Sequence, residues 1–236
     1  MLDDAKNEIN KFDFDHRKCK PQYGLMRNPE TSLEENKKIM LMGLQNFCMC
    51  CRLCPIGCSL VKDKNGDKYD PHVLSNMMFN AEYMVVGQNP GINECKIGIP
   101  FVGEAGKNFD EELEKNGIDR NKFYITNIVH CFTKKADGTN NRNPSAKEKQ
   151  TCSSTFLINE IKIIKPKLII TLGGPSFGFF CPDHTYKDRL GKITKSEYGK
   201  VYAVYHPSPM NINDPARRKV FNRQIELLAK LIKKIS

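Results

Sequence analysis

Apolar and polar positions along most of the chain follow two periods, which predicts strands separated by helices. Helical spacing is seen over residues 107–115, from the Ser145–Glu148 capping box to about Ile164, and from about Pro215 to Lys234. Short apolar runs typical of buried strands are EYMVVG, KFYITNIV, KLIITLGG and VYAVYHP. This alternation predicts an α/β fold: a three-layer α/β/α domain with a central, mostly parallel four-stranded sheet.

The N-terminal part of the chain has a different pattern. Residues 1–46 are polar and charged, with one helix predicted over Ser32–Leu44, and a cysteine-rich loop follows them. The stretch KDKNGDKYD beyond that loop predicts a surface excursion. We therefore expect an N-terminal extension over 1–46 and the principal domain over 47–236.

The predicted strands end in small or polar residues. Their carboxyl ends carry Gly87–Gly91, Thr126-Asn127, Leu172–Gly174 and His206–Ser208. Because the carboxyl ends of parallel strands meet at one edge of the sheet, where ligands bind in open α/β folds, these residues predict a binding site there.

Composition limits the location and the partners of the protein. No apolar run approaches the roughly 20 residues of a membrane helix, and the first residues lack the apolar core of a signal peptide, so a cytoplasmic protein is expected. The 37 basic and 27 acidic residues give a net charge of +10. This excess favours a polyanionic partner such as nucleic acid, although a lysine-rich solvated surface would produce the same balance.

Ten cysteines in a chain expected in a reducing compartment indicate metal or cluster ligands rather than disulfides. Cys51-x2-Cys54, Cys131 and Cys152 suit either tetrahedral zinc or a [4Fe–4S] cluster, and spacing does not choose between them. The competing thiols are Cys48, Cys50 and Cys58, and Cys48-x2-Cys51 is an equally regular pair. The unpaired Cys19, Cys95 and Cys181 are expected to be buried or free thiols.

Taken one at a time, the other motifs are ambiguous. The Gly87-Gln88-Asn89-Pro90-Gly91 loop is either an ordinary strand-to-helix turn or a rigid loop that holds a water. His206 between a strand and two prolines is either structural or a placed donor, and Asn127 either caps a turn or contacts a base edge.

Taken together, six blocks resemble the family-four uracil-DNA glycosylases. In chain order they are GQNPG, GIPFVGEAG, FYITNIVHC, NRNPS, KLIITLGG and YHPSP, and the resemblance covers about residues 47 to 232. It implies the uracil-DNA glycosylase fold, excision of uracil from DNA in base excision repair, and a structural [4Fe–4S] cluster. The residues that match the family's ligands are Cys51, Cys54, Cys131 and Cys152.

The resemblance also implies roles in the base pocket. His206 would donate to the pyrimidine O2, and Ser208 belongs to the same loop. Asn127 would contact the base edge, accepting from N3–H and donating to O4, and Phe101 would stack on the flipped base. The Gly87–Gly91 loop would place backbone donors near O2 and hold the water.

The first loop departs from the family pattern, in which an acidic residue handles the water. Here Gln88 stands at the acidic position, and Asn89 matches the Asn of the mismatch-specific uracil glycosylases. An amide orients water but cannot act as a general base. We expect Asn89 to position the water, with Gln88 second. Family-one enzymes have a bulky Tyr at the position of Gly91, which excludes the methyl group of thymine. Without that Tyr, hypoxanthine and other deaminated bases are possible substrates beside uracil.

Uracil-containing DNA is the expected partner of a monomeric enzyme. Candidate phosphate contacts are Lys134, Lys135, Arg142, Arg217, Arg218 and Lys219, and Met210 or Ile212 is a candidate wedge into the base stack. One alternative is a catalytically weakened or inactive DNA-binding member of the superfamily. An electron-transfer function does not account for Asn127, Phe101 and His206. A member that cross-links covalently to DNA would need a basic insertion ending in a nucleophilic His, and this chain lacks that insertion.

Overall fold

A computed structural model describes residues 31–135 and 141–235. Its helices are α1 (Leu33–Met49), α2 (Ile92–Ile97), α3 (Glu104–Lys115), α4 (Ala146–Cys152), α5 (Ile158–Ile164), α6 (Gly174–Phe180), α7 (Tyr186–Arg189), α8 (Pro209–Ile212) and α9 (Pro215–Ile235). Its strands are β1 (Val61–Lys62), β2 (Lys68–Tyr69), β3 (Tyr83–Gly87), β4 (Phe123–Asn127), β5 (Leu168–Leu172), β6 (Ile193–Ser196) and β7 (Gly199–Val204). Of the described helices, none is long and apolar enough to cross a membrane.

The central sheet has five strands in the order β4-β3-β5-β7-β6. The first four are parallel, as predicted, and the α/β fold class is confirmed. The fifth, β6, is an antiparallel edge strand that the sequence analysis missed. It is short and mostly solvent-facing, with Thr194 as its one buried residue, so it has no apolar run to detect.

The sheet separates two apolar cores, because successive strand residues point to opposite faces. Met84 and Val86 of β3 pack on one side with residues of α1 and α5. Tyr83 and Val85 pack on the other side with Phe109 of α3 and residues of α9. The three predicted layers are therefore present, and each face of the sheet has its own core.

Helix α1 is longer than predicted and begins where predicted. The Ser32 hydroxyl accepts a hydrogen bond from the Glu35 amide at 3.1 Å and caps the helix. Leu41 and Leu44 are buried in the core with β3, and the helix continues past the proposed boundary between residues 46 and 47. The division into 1–46 and 47–236 remains a prediction, and residues 1–30 of that extension lie outside the described residues.

The predicted long helix after Ser145 is present with one interruption. Its capping box is confirmed, since the Glu148 amide donates to Ser145 Oγ at 3.2 Å and the Ser145 amide donates to Glu148 Oε2 at 2.7 Å. A single π-helical segment, Ser153–Leu157, separates α4 from α5. The helix ends ahead of Pro166 as predicted, and Lys165 takes a left-handed conformation at that end.

The predicted surface excursion after the cysteine-rich loop is a small hairpin of β1 and β2. Gly66 at its turn has φ +89°, which favours glycine, and the lysines on both sides are exposed.

Candidate active site and cysteine centre

Two adjacent strand ends define the candidate base pocket. Gly87 and Asn127 are register partners at the carboxyl ends of β3 and β4. A Cβ on Gly87 would overlap Asn127 Oδ1 and lie 2.6 Å from Phe101 Cζ. Only glycine therefore allows the side chains of Asn127 and Phe101 to approach this close to the end of β3. Asn127 is 1% exposed and its Nδ2 has no protein partner. A buried amide without a partner is costly unless a ligand satisfies it.

Phe101 reaches this pocket from a strained backbone. Its φ is +55°, a left-handed conformation that costs a bulky residue on the order of 1–3 kcal/mol. Arg120 Nη2 donates to the Phe101 carbonyl at 3.2 Å, and the same guanidinium is paired with Asp110. Gly106 is required behind the turn, because a Cβ there would overlap that carbonyl. Local contacts thus hold the ring of Phe101 in place.

His206 faces Phe101 across the pocket, with the ring centroids 6.3 Å apart. Burial lowers the pKa of His206 to about 4, so at neutral pH the ring is uncharged and has one N–H to donate. The backbone of its loop is fixed at two points. Asn211 Nδ2 donates to the His206 carbonyl at 2.8 Å, and Asn108 Nδ2 of α3 donates to the Pro207 carbonyl at 2.9 Å. Ser208 ends the loop at the start of α8.

The two side-chain amides of the Gly87–Gly91 loop, which are expected to position water, differ in their hydrogen bonds. Asn89 Nδ2 donates to Asn141 Oδ1 at 2.8 Å and to Thr133 Oγ1 at 3.1 Å. These bonds fix the amide so that Oδ1 remains available as an acceptor. Within the described part of the chain, the side chain of Gln88 shows no hydrogen bond, and only its backbone carbonyl is engaged, by the Val129 amide at 2.9 Å.

A residue that the sequence analysis missed joins the two pocket loops. The buried Glu94 carboxylate accepts from the Gly91 amide at 3.0 Å and from the Gly103 amide at 2.9 Å. A Cβ on Gly91 would lie 2.6 Å from that carboxylate, so Gly91 allows the close approach. The Gly91-x2-Glu94 spacing of a helix cap could have indicated Glu94. Arg120 and Asn108 had no comparable local signal.

The predicted cysteine quartet converges on one cavity. Cys51, Cys54, Cys131 and Cys152 all line it, together with Leu53, Val129 and Phe156. All four are free thiols. Burial raises the pKa of the Cys131 thiol, and the nearby Cys152 and Cys51 raise it further, as expected for thiols that crowd one another. A cationic centre would reverse this by favouring the thiolates.

The other cysteines are distributed unevenly around this cavity. Cys48 is fully buried and lines it as a fifth thiol, whereas Cys50 and Cys58 do not line it. Cys50 is disulfide-bonded, so the expectation of ligands rather than disulfides is wrong for this cysteine. Cys95 and Cys181 are buried elsewhere, as predicted for unpaired thiols, and Cys19 lies outside the described residues. In residues 31–135 and 141–235, no three His, Cys, Asp or Glu side chains are placed to hold a single metal ion.

The candidate DNA-contacting residues differ in availability. Met210 is 79% exposed at the start of α8, and Arg217 and Arg218 are exposed at the start of α9. Arg142, by contrast, donates to both carboxylate oxygens of Glu148 at 2.8 and 2.6 Å. The structure therefore assigns Arg142 an internal partner, in addition to any role on DNA.

The remaining candidates also differ in availability. Lys134 Nζ donates to Ser59 Oγ at 2.9 Å, Ile212 is half-buried, and Lys135 and Lys219 are exposed.

Comparison with known proteins agrees with this geometry. The family model described as the uracil DNA glycosylase superfamily matches residues 75–229, and the chain belongs to that superfamily. Among its curated relatives, the chain resembles the type-4 uracil-DNA glycosylase of Thermotoga maritima, with 37% identity over 167 residues that cover 69% of this chain and 83% of the relative.

Two further relatives extend the comparison. The type-4 uracil-DNA glycosylase of Archaeoglobus fulgidus is 32% identical over 192 residues, which cover 78% of this chain and 88% of the relative. The type-5 uracil-DNA glycosylase of Pyrobaculum aerophilum is 30% identical over 152 residues, which cover 57% of this chain and 64% of the relative. The predicted resemblance to the family-four enzymes is confirmed by the type-4 relatives.

Proposed function

We propose that the chain is a uracil-DNA glycosylase of base excision repair, which hydrolyses the N-glycosidic bond of uracil flipped out of DNA. The observation that carries this proposal is the meeting of Gly87, Phe101 and Asn127 around a buried, unpartnered amide. The type-4 relatives support the same reading by their names. They give no support to the alternative of an inactive DNA-binding member.

The pocket suits the charge changes of the reaction. Cleavage leaves negative charge on the departing base, so donors placed near its oxygens stabilise the transition state. Neutral His206 supplies one N–H at the pocket wall without bringing a buried charge into the free enzyme. Its role is to donate to the pyrimidine O2.

Asn127 supplies base selectivity in this proposal. Its amide accepts from uracil N3–H and donates from Nδ2 to O4, which would satisfy the group that lacks a partner in the protein. Cytosine presents an acceptor at N3 and a donor at C4, so it would oppose both bonds and be rejected.

Asn89 is the proposed water-positioning residue. Asn141 and Thr133 hold its Nδ2, so its Oδ1 can accept a hydrogen bond from water. Gln88 is second, because nothing in the described residues fixes its amide. As neither group is a general base, both would orient the water toward the anomeric carbon without taking its proton.

The base range is proposed to centre on uracil. Gly91 places no side chain beside the base. The Glu94 carboxylate leaves no room for a larger residue at this position. Hypoxanthine and xanthine therefore belong in the same assay.

A [4Fe–4S] cluster bound by Cys51, Cys54, Cys131 and Cys152 is the proposed cofactor. Four free thiols around one cavity fit it. Zinc would draw four sulfurs to about 3.8 Å of one another, given Zn–S bonds of about 2.3 Å. The type-4 names of the relatives and the match of the four cysteines to the ligand positions of the family-four enzymes support the cluster over zinc. When bound, the cluster would supply a structural cross-link between three segments of the chain.

DNA binding is proposed to involve Arg217 and Arg218 at phosphates and Met210 as the wedge, with Arg142 near the cysteine loop. A monomer acting in the cytoplasm is expected, and light scattering with and without DNA would test the oligomeric state.

The function is tested by a base-excision assay. The protein is incubated with single- and double-stranded DNA that carries uracil, hypoxanthine, xanthine or mispaired thymine, and abasic sites are cleaved with alkali. Strand cleavage at uracil is expected. No cleavage of any substrate by protein with full cluster content would overturn the proposal.

A further inference from the structure

A chain of polar side chains is buried beside the cysteine cavity, where apolar residues would be expected. His130 and Glu160 are both 0% exposed, and His130 Nε2 lies 3.1 Å from Glu160 Oε2. Tyr124 donates to Glu160 Oε1 at 2.8 Å, and Thr126 Oγ1 lies 3.0 Å from Glu160 Oε2. Burying such groups is expensive, so the arrangement calls for a function.

The far end of this chain contacts the sulfur of a proposed cluster ligand. His130 approaches Cys152 Sγ twice, with its backbone N–H at 3.2 Å and its ring Nδ1 at 3.4 Å. A thiolate only accepts hydrogen bonds, so when Cys152 is a ligand, Nδ1 is the donor. Phe156 packs against the imidazole, with centroids 5.3 Å apart, and restricts its rotation.

Glu160 fixes the other side of the ring. Tyr124 and Thr126 donate to its carboxylate from the β4 side, and the carboxylate accepts from His130 Nε2–H, so the imidazole carries a proton on each nitrogen. The carboxylate thus orients the imidazole, much as outer-shell carboxylates orient metal-bound histidines.

The π-helical segment explains how Cys152 and Glu160 come to share one partner. In an uninterrupted α-helix, residues eight apart differ by about 80° around the axis. The segment Ser153–Leu157 lies between them, and its wider turn reduces that angle. Cys152 and Glu160 therefore project to the same side, where His130 lies.

We propose that His130 and Glu160 are a positioning pair for the cluster ligand Cys152: the imidazole donates to the ligand sulfur, and the carboxylate holds the imidazole. Hydrogen bonds to cluster sulfurs stabilise the more negative, reduced state and so raise the reduction potential. They also hold the ligand in place, which slows loss of iron. This inference rests on the proposed cluster.

The test uses the full chain with its reconstituted cluster. The variants are His130→Phe, which removes the ring nitrogens but keeps a planar ring, His130→Gln, which keeps a side-chain N–H donor, and Glu160→Gln. Glu112→Gln is the matched control, because Glu112 is a buried carboxylate on the opposite face of the sheet. Iron and sulfide content, the midpoint potential, and the rate of bleaching by a chelator are measured for each.

We expect His130→Phe to have a lower midpoint potential than the wild type and to lose iron about 10- to 100-fold faster. His130→Gln should recover part of both effects, Glu160→Gln should shift both in the same direction, and Glu112→Gln should match the wild type. If a general loosening of the fold were enough to speed bleaching, Glu112→Gln, which also loses a buried carboxylate, would bleach faster as well.

Wild-type potential and bleaching rate in His130→Phe would overturn the inference while leaving the proposed cluster intact. If His130→Phe does not fold, unchanged values in Glu160→Gln overturn it, since His130→Gln keeps the donor and does not decide the matter. A wild-type protein that binds zinc or no iron would instead overturn the proposed cofactor, so the two failures are distinguishable.

Discussion

Arg120 Nη2 donates to the carbonyl oxygen of Phe101 at 3.2 Å, and Phe101 adopts a left-handed backbone conformation at that point. The hydrogen bond crosses 19 positions of sequence and comes from beyond the far end of α3. The ring proposed to stack on the base is therefore held by a side chain that does not touch the pocket.

Replacing Arg120 with Ala should reduce excision of uracil. Without the guanidinium, the strained Phe101 turn can relax, and displacement of a positioned group by about 1 Å costs up to about 100-fold in rate. Single-turnover excision measures the effect. Arg223→Ala is the control, since its ion pair with Glu226 is exposed on α9. Equal rates for the two variants would contradict the role given to Arg120.

A methyl group at Gly87 should block the pocket. In Gly87→Ala the new Cβ overlaps Asn127 Oδ1 and crowds the ring of Phe101, so excision should fall by at least about 100-fold and stability by about 1–3 kcal/mol. Gly178→Ala is the control, because a Cβ there meets nothing within 4 Å. Single-turnover assays and urea unfolding of both variants decide the matter, and full activity in Gly87→Ala would show that the base does not bind here.

The two amides of the first loop should differ in importance. Asn89→Ala removes the side chain held by Asn141 and Thr133 and should slow the chemical step by about 100-fold or more. Gln88→Ala should have a smaller effect, since its amide has no fixed partner in the described residues. Rates are compared at saturating enzyme. A larger loss in Gln88→Ala would reverse the assignment.

The pH dependence should reflect the half-buried imidazole of His206. Its pKa is about 4 in the folded protein against 6.5 for an ordinary histidine, so it stays neutral across pH 5–8. The unfolded chain binds the extra proton first as the pH falls, so His206 should make folding less favourable between pH 6.5 and 4. The urea midpoint of unfolding should decrease from pH 7 to pH 5, and this decrease should be larger in the wild type than in His206→Asn.

The same imidazole should leave a signature in kinetics. Because it does not change charge, the single-turnover rate should show no inflection near pH 6.5 that is attributable to His206. An inflection there that disappears in His206→Asn would indicate an ordinary pKa.

Much of the candidate site could be predicted because it lies where strands end. Gly87, Asn127 and His206 each follow an apolar run, and parallel strands bring such positions together whatever the intervening sequence. Phe101 has no such position, and only the family resemblance indicated it.

Other parts could not be read from local sequence. Glu94, Asn108 and Arg120 act through hydrogen bonds to backbone groups of distant loops, and those contacts depend on tertiary packing rather than on neighbouring residues. The edge strand β6 lacks an apolar pattern, and the π-helical segment SSTFL contains no glycine or proline that would mark an interruption of the helix.

The division of the sheet into two faces has a consequence for interpreting damaging variants. The cysteine cavity belongs to the core of Met84 and Val86, whereas Phe101 belongs to the core of Tyr83 and Val85. With the proposed cluster bound, a substitution on the first face should lower the colour and iron content of the purified protein. A substitution on the second face should leave a coloured protein that no longer removes uracil from DNA. Neighbouring residues of one strand can thus fail in two visibly different ways.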